Sequence, residues 1–226
     1  MYFYFALFIV IAIASYSAQA NLRSKFQKYS KIPTSGGLTG SDVAMQMLHD
    51  NGIYDVRVTQ IEGQLTDHYD PTKKTVNLSK DVYFGRNITA AAVAAHECGH
   101  AVQHAVAYGP LKMRSAMVPP VQFASKWVSW ILLAGIFMVQ SFPGILWLGI
   151  ILFAVTTLFS FVTLPVEVDA SRRAIAWLGK SGITDSRSAV PARDALRSAA
   201  YTYVVAALSS LGTLIYYVLI AMGNRN

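Results

Sequence analysis

Two imidazoles and a carboxylate stand within five consecutive residues of this chain, His96-Glu97-Cys98-Gly99-His100. On an α-helix, side chains four apart differ by about 40° in direction and about 6 Å in height, so His96 and His100 can meet one metal ion. Glu97 then projects beside that point without being a ligand. From there its carboxylate can take a proton from a water held at the metal, the division of labour found in hydrolytic H-E-x-x-H sites. The plainer reading is two histidines lining a helix face by coincidence. It is weakened by how sparse the parts are, because the 226 residues contain only five His, and only Glu62, Glu97 and Glu167 as glutamates.

A catalytic zinc site takes three protein ligands and keeps one position open, so a third donor is needed. His104 continues the four-residue spacing. A straight helix, however, rises about 12 Å from His96 to His104, too far for both to bind one ion. His104 therefore reads as a residue behind the ligands, on the substrate side, or simply on the polar face. Glu167 is the better candidate, since it stands where a long apolar stretch gives way to basic sequence. Asp169 competes with it, and an ordinary ion pair from Glu167 to Arg172 or Arg173 is the structural alternative. Two imidazoles and a carboxylate suit one zinc ion.

The motif needs a helix to carry it, and the local sequence supplies one. Asn87 can cap a helix through Ile88 and the alanines between 90 and 95, running to about Tyr108 before Gly109-Pro110 end it. Upstream, residues 31–40 read as a Ser/Thr/Gly linker. Thr39 or Ser41 can cap a short helix carrying Val43, Met47 and Leu48, which Asn51-Gly52 would stop. Residues 56–61 alternate like a strand, and residues 65–69 and 75–79 read as a hairpin around Asp70-Pro71-Thr72. The 75–79 strand could take an extended peptide on its edge. Downstream, Pro165 either kinks a helix or begins a new one through Glu167 to about Leu178, and Pro191 can start the last helix.

These elements are embedded in a composition that is 54% apolar and 14% charged, with the apolar residues gathered in blocks. Four blocks, at residues 2–18, 121–139, 145–166 and 201–222, approach the roughly 20 residues that cross a bilayer core. The second is the weakest, being interrupted by Gln122 and Lys126, although Lys126 can snorkel beside Trp127 and Trp130. The fold expected is a mainly α membrane protein of about four transmembrane helices with a small α+β cytosolic segment. Its parts are an anchor at 1–20, a metal-binding segment at 21–117, a transmembrane hairpin at 118–166, a helical segment at 167–198 and a final span at 199–226.

The net charge of +7 does not point to nucleic acid, because the basic residues flank the apolar blocks. Arg23, Lys25, Lys28 and Lys31 follow the first block, Lys112 and Arg114 precede the second, and Arg172, Arg173 and Lys180 follow the third. Residues 140–144 carry no charge. The positive-inside rule then gives an N-out, C-out protein with both polar segments in the cytosol and the lipid bilayer as a partner. Arg225 alone falls on the wrong side. Ser17-Ala18-Gln19-Ala20 resembles a signal-peptidase site, but residues 1–8 contain no Lys or Arg, which favours a retained anchor. Cys98 is the only cysteine, so no internal disulfide forms.

Taken together, the run from Ala94 to His104, the preceding Asn77-Leu78-Ser79 and the later Leu164-Pro165-Val166-Glu167-Val168-Asp169-Ala170-Ser171 resemble bacterial membrane zinc metallopeptidases of the YugP type. The likeness covers most of the chain after about Gly36. It implies a zincin-like segment with His96, His100 and Glu167 as zinc ligands and Glu97 as the base, in a bacterial plasma membrane. Asn77, His104, Asp169 and Ser171 would lie behind the ligands or on the substrate side. A more distant similarity is to membrane heat-shock peptidases, whose third ligand sits in an E-x-x-A-D pattern. Ser171 stands here where that Asp would be, leaving its orienting role to Asp169 or Ser171.

The activity implied is peptide-bond hydrolysis near the cytosolic membrane surface, on membrane-associated proteins or peptides. His104, Tyr83, Tyr108 and Arg86 are candidates for stabilising the oxyanion. A zinc-containing membrane scaffold without turnover is the alternative from another class, although an intact Glu97 argues against it. The paired, interrupted helices with mid-membrane polar residues expected of a transporter are not apparent.

Overall fold

The computed structural model describes residues 2–185 and 187–223. Among the described residues, seven helices and three strands follow one another: α1 (Tyr2–Tyr29), α2 (Gly40–Asp50), β1 (Arg57–Ile61), β2 (His68–Asp70), β3 (Thr75–Ser79), α3 (Lys80–Tyr83), α4 (Ile88–Ala105), α5 (Gly109–Phe137), α6 (Pro143–Lys180) and α7 (Ala189–Gly223). A single 3-10 turn, Ser35–Gly37, lies inside the stretch read as a linker. The chain divides into two compact units.

One unit comprises Met1–Ser17, Lys112–Leu164 and Tyr203–Asn226. Here α5 and α6 run back to back through small residues. A Cβ on Gly135 would lie 2.6 Å from the Leu146 Cα, and one on Gly149 would lie 2.8 Å from a Leu132 methyl. Glycine at these two positions is therefore what lets the helices approach, as small residues do in membrane bundles. Val128, Leu132, Leu146 and Ile150 fill this contact, while Phe8, Ile13, Trp130, Phe137, Ile151 and Ile215 point outward and are exposed. Three helical stretches, Ala6–Tyr29, Pro143–Lys180 and Ala189–Gly223, are long and apolar enough to cross a membrane. α5, which contains the second block read from sequence, does not meet that criterion; it carries Lys112, Arg114, Lys126 and the internal pair Pro119-Pro120.

The other unit, Ala18–Leu111 and Pro165–Thr202, holds the sheet and the H-E-x-x-H helix. α2 is closed at its start by a capping box: the Thr39 hydroxyl accepts the Asp42 N–H, and the Asp42 carboxylate accepts the Thr39 N–H. Its apolar face of Val43, Ala44, Met47 and Leu48 packs on Ala91, Ala94, Ala95 and Cys98 of α4. Val76 and Leu78 of β3 close the same core, with Ala174 and Leu178 of α6 and Leu196 of α7. The alanine run of α4 is thus a matter of distance, since only a methyl-sized side chain lets neighbouring elements lie this close on several sides.

Several expectations need correction here. β3 is the central strand, paired parallel with β1 and antiparallel with β2, so no peptide can add to its edge. The outer edges among the described residues belong to β1 and β2. β2 begins at His68 rather than residue 65, because Leu65 has a φ of 56° and takes the chain out of extended conformation. α4 stops at Ala105, short of Tyr108, and Gly109-Pro110 open α5 instead of merely ending α4. Of the two readings of Pro165, the new helix is not found: α6 continues through it from Pro143 to Lys180.

Candidate metal centre

α4 starts where the Asn87 side chain accepts the Ala90 N–H, and its following residues, except half-buried Val93 and His96, are buried as far as Gln103. That burial leaves the helix one way to lie, with the His96–His100 face turned towards α6. Gly99 sits at the crossing, where an added Cβ would stand 2.6 Å from the Ala170 carbonyl oxygen. Any side chain at position 99 would wedge the two helices apart. α6 answers with small residues of its own, Ala170 and Ala174, both fully buried.

Across this close contact, the Glu167 Oε2 lies 3.2 Å from the His96 Nε2 and 3.6 Å from the His100 Nε2. One ligand atom from each of the three residues falls within 4.8 Å of the others. Two donors bound at about 2.0–2.1 Å to one tetrahedral zinc are separated by about 3.3–3.4 Å, so the carboxylate–imidazole spacings fit a shared ion. The donor set of two nitrogens and one oxygen fits zinc equally well. Glu167 and His100 are buried, while His96 is half-buried.

The far side of each imidazole is also held. The Ser171 hydroxyl lies 3.1 Å from the His96 Nδ1. The Gln103 Oε1 lies 3.0 Å from the His100 Nδ1, and the Gln103 Nε2 donates to the Val166 carbonyl at 2.8 Å and to an Asp169 oxygen at 3.0 Å. Arg172 and Arg173 bond to the two Asp169 oxygens. Partners of this kind orient metal-binding histidines. In the metal-free protein, burial works against a charged His100, but the Glu167 hydrogen bond, the Glu97 charge and Gln103 together hold its imidazolium above the usual histidine range.

The remaining residues singled out from sequence fall as follows. Glu97, on the same turn as the histidines, is almost fully buried. Asp169 bonds to Gln103, Arg172 and Arg173 and is not among the three residues whose donor atoms come together. Glu167 takes its place beside the histidines rather than pairing with Arg172 or Arg173, the alternative weighed above. Ser171, not Asp169, contacts a histidine. The His104 Nδ1 is 2.8 Å from the Tyr69 hydroxyl on β2, whose pKa is pushed up to about 12 by burial and then by Asp55 and Asp70. Asn77 lies within the sheet, bonded to Thr59, His68 and Thr75. Arg173 stacks over the Tyr108 ring, and Arg86 bonds to the Gly37 carbonyl.

Gln103 was missed as a partner of the site. Its spacing of three from His100 puts it on the same helix face, and that was the available signal. Gly99 was missed as well, because a glycine inside a helix shows its purpose only when the second helix is known.

With this geometry in hand, comparison with known proteins is informative. A family model described as "Putative neutral zinc metallopeptidase" matches residues 4–222. The chain is 43% identical over 224 residues to the "Putative membrane protease YugP" of Bacillus subtilis (strain 168), covering 97% of this chain and 99% of that protein. No solved structure matches. A match of that extent, over a centre that brings two imidazoles and a carboxylate together, means that the chain belongs to the neutral zinc metallopeptidase family.

Proposed function

We propose that the protein is a membrane zinc endopeptidase that hydrolyses peptide bonds close to the cytosolic face of a bacterial plasma membrane. The observation that carries this reading is the convergence of His96, His100 and Glu167 donors within 4.8 Å. A zinc ion held by them would polarise the scissile carbonyl and make a water acidic enough to ionise near neutral pH. Glu97 accepts that proton and returns it to the leaving amine, acting first as general base and then as general acid. Its near-complete burial favours this, since proton transfer in a water-poor site is not diluted by bulk solvent. Of the oxyanion candidates we favour His104, whose ring is held by the Tyr69 hydroxyl at its Nδ1 and which could donate from Nε2.

The membrane part of the proposal rests on three long apolar helices and on the basic flanks of the apolar blocks. Glu167 follows the apolar part of α6 directly, on the same helix, which argues for substrates presented at the bilayer surface rather than cleaved at its centre.

Glu97→Gln keeps the side-chain volume and removes the base. The purified variant should retain zinc and lose cleavage of a casein-like substrate by about 100-fold or more. His96→Ala should lose both. Equal cleavage by wild type and Glu97→Gln would refute the peptidase reading, and zinc binding without turnover in either would favour a scaffold.

A further inference from the structure

Resting on the metal-centre reading above, we propose that Gln103 is a positioning residue that locks His100 into the tautomer whose Nε2 lone pair faces the metal, and that Asp169 sets the orientation of Gln103. The argument turns on which groups can donate. The amide end of Gln103 near α6 meets two oxygens, the Val166 main-chain carbonyl at 2.8 Å and the Asp169 carboxylate at 3.0 Å. A peptide carbonyl has lone pairs only. Both Asp169 oxygens already receive Arg172 and Arg173, so this carboxylate likewise has only lone pairs to offer.

The NH2 group of Gln103 must therefore point at α6, because the flipped amide would set three acceptors against one another. Gln103 is fully buried, so water does not provide the missing protons. With the NH2 group so fixed, the Oε1 faces the His100 Nδ1 at 3.0 Å and can only accept. When the imidazole is neutral, its ring proton is then held on Nδ1, and Nε2, on the side of Glu167, is the nitrogen left with a lone pair for a metal ion.

His96 differs. Its Nδ1 partner is the Ser171 hydroxyl, which can donate or accept and so imposes no tautomer by itself. The selection acts on His100, through a chain of Arg172 and Arg173, Asp169 and Gln103 reaching from α6 back to α4.

The test uses the full-length protein in detergent micelles, with zinc affinity measured by chelator competition and the histidine tautomer read by nitrogen-15 NMR of the metal-free form at alkaline pH, where the imidazole is neutral. Gln103→Met preserves bulk and removes the hydrogen bonds. It should weaken zinc about 10–100-fold and abolish the Nδ1–H signature of His100. Asp169→Ala leaves the Gln103 NH2 group with the Val166 carbonyl as its remaining acceptor and should weaken zinc by a smaller factor than Gln103→Met.

Wild-type zinc affinity and an unchanged His100 tautomer in Gln103→Met would overturn the inference. So would wild-type zinc affinity in Asp169→Ala. Failure of the wild type itself to bind zinc is a different result, which would remove the metal centre and this inference together.

Discussion

At the scale of single residues, the three donors have to be free of protons before an ion can bind, and that requirement sets a pH dependence. His100 is the group whose protonation is favoured in the metal-free protein, chiefly because the Glu167 hydrogen bond and the Glu97 charge outweigh its burial. Its folded value lies above the ordinary histidine value of about 6.5, so the His100–Glu167 pair stabilises the metal-free fold below that pH. That contribution is lost as pH rises through the folded value. Zinc has the opposite preference, since it needs the neutral imidazole. Zinc affinity should therefore be flat at alkaline pH and begin to fall while the pH is still above about 6.5. Titration of the zinc dissociation constant between about pH 8 and pH 5.5 checks this, and an affinity independent of pH across that range would contradict it.

At the scale of elements, the site depends on how closely α4 and α6 approach. Gly99 has no Cβ, and the Ala170 carbonyl occupies the place where one would be, at 2.6 Å. The obstacle is backbone, which cannot rotate away as a side-chain tip can. Gly99→Ala should therefore cost about 1–3 kcal/mol of stability, despite alanine's better helix propensity, and weaken zinc binding by moving Glu167 off the histidines. A thermal melt and a zinc titration on the variant read both effects; a more stable variant with unchanged affinity would mean that the contact relaxes easily.

Sequence made much of this legible where the information is local. Thr39 and Asn87 announce their helices through capping chemistry, and His96 and His100 share a face by spacing alone. Glu167 could be picked out because glutamate is so scarce in the chain. The centrality of β3 was not legible, since a parallel β1–β3 pairing depends on partners 18 residues apart that no turn signal records. The roles of Gln103 and Asp169 were hidden for the same reason: each is defined by a neighbour more than sixty positions away.

At the scale of the whole molecule, the metal centre constrains the membrane topology by parity. His96 and His100 precede α5, and Glu167 follows the apolar part of α6, yet their donor atoms fall within 4.8 Å. A chain that leaves one side of a bilayer after His100 and supplies Glu167 on that same side must cross an even number of times between them. α6 is long and apolar enough to span; α5, with Lys112, Arg114, Lys126 and two prolines, is not by composition alone. If α6 spans, α5 has to span with it. Its packing would help α5 to do so, because Gly135 and Gly149 bring the two helices into direct contact, and a spanning α5 would enter as half of a hairpin. Lys126 lies on the basic side of α5, where its stem can reach the interface beside Trp127. Reporter fusions or single-cysteine labelling at residue 141 should report the outer side of the membrane, while positions 64 and 185 report the cytosol. Labelling of residue 141 from the same side as positions 64 and 185 would mean that neither helix crosses, and α6 would then have to lie along the surface despite its apolar length.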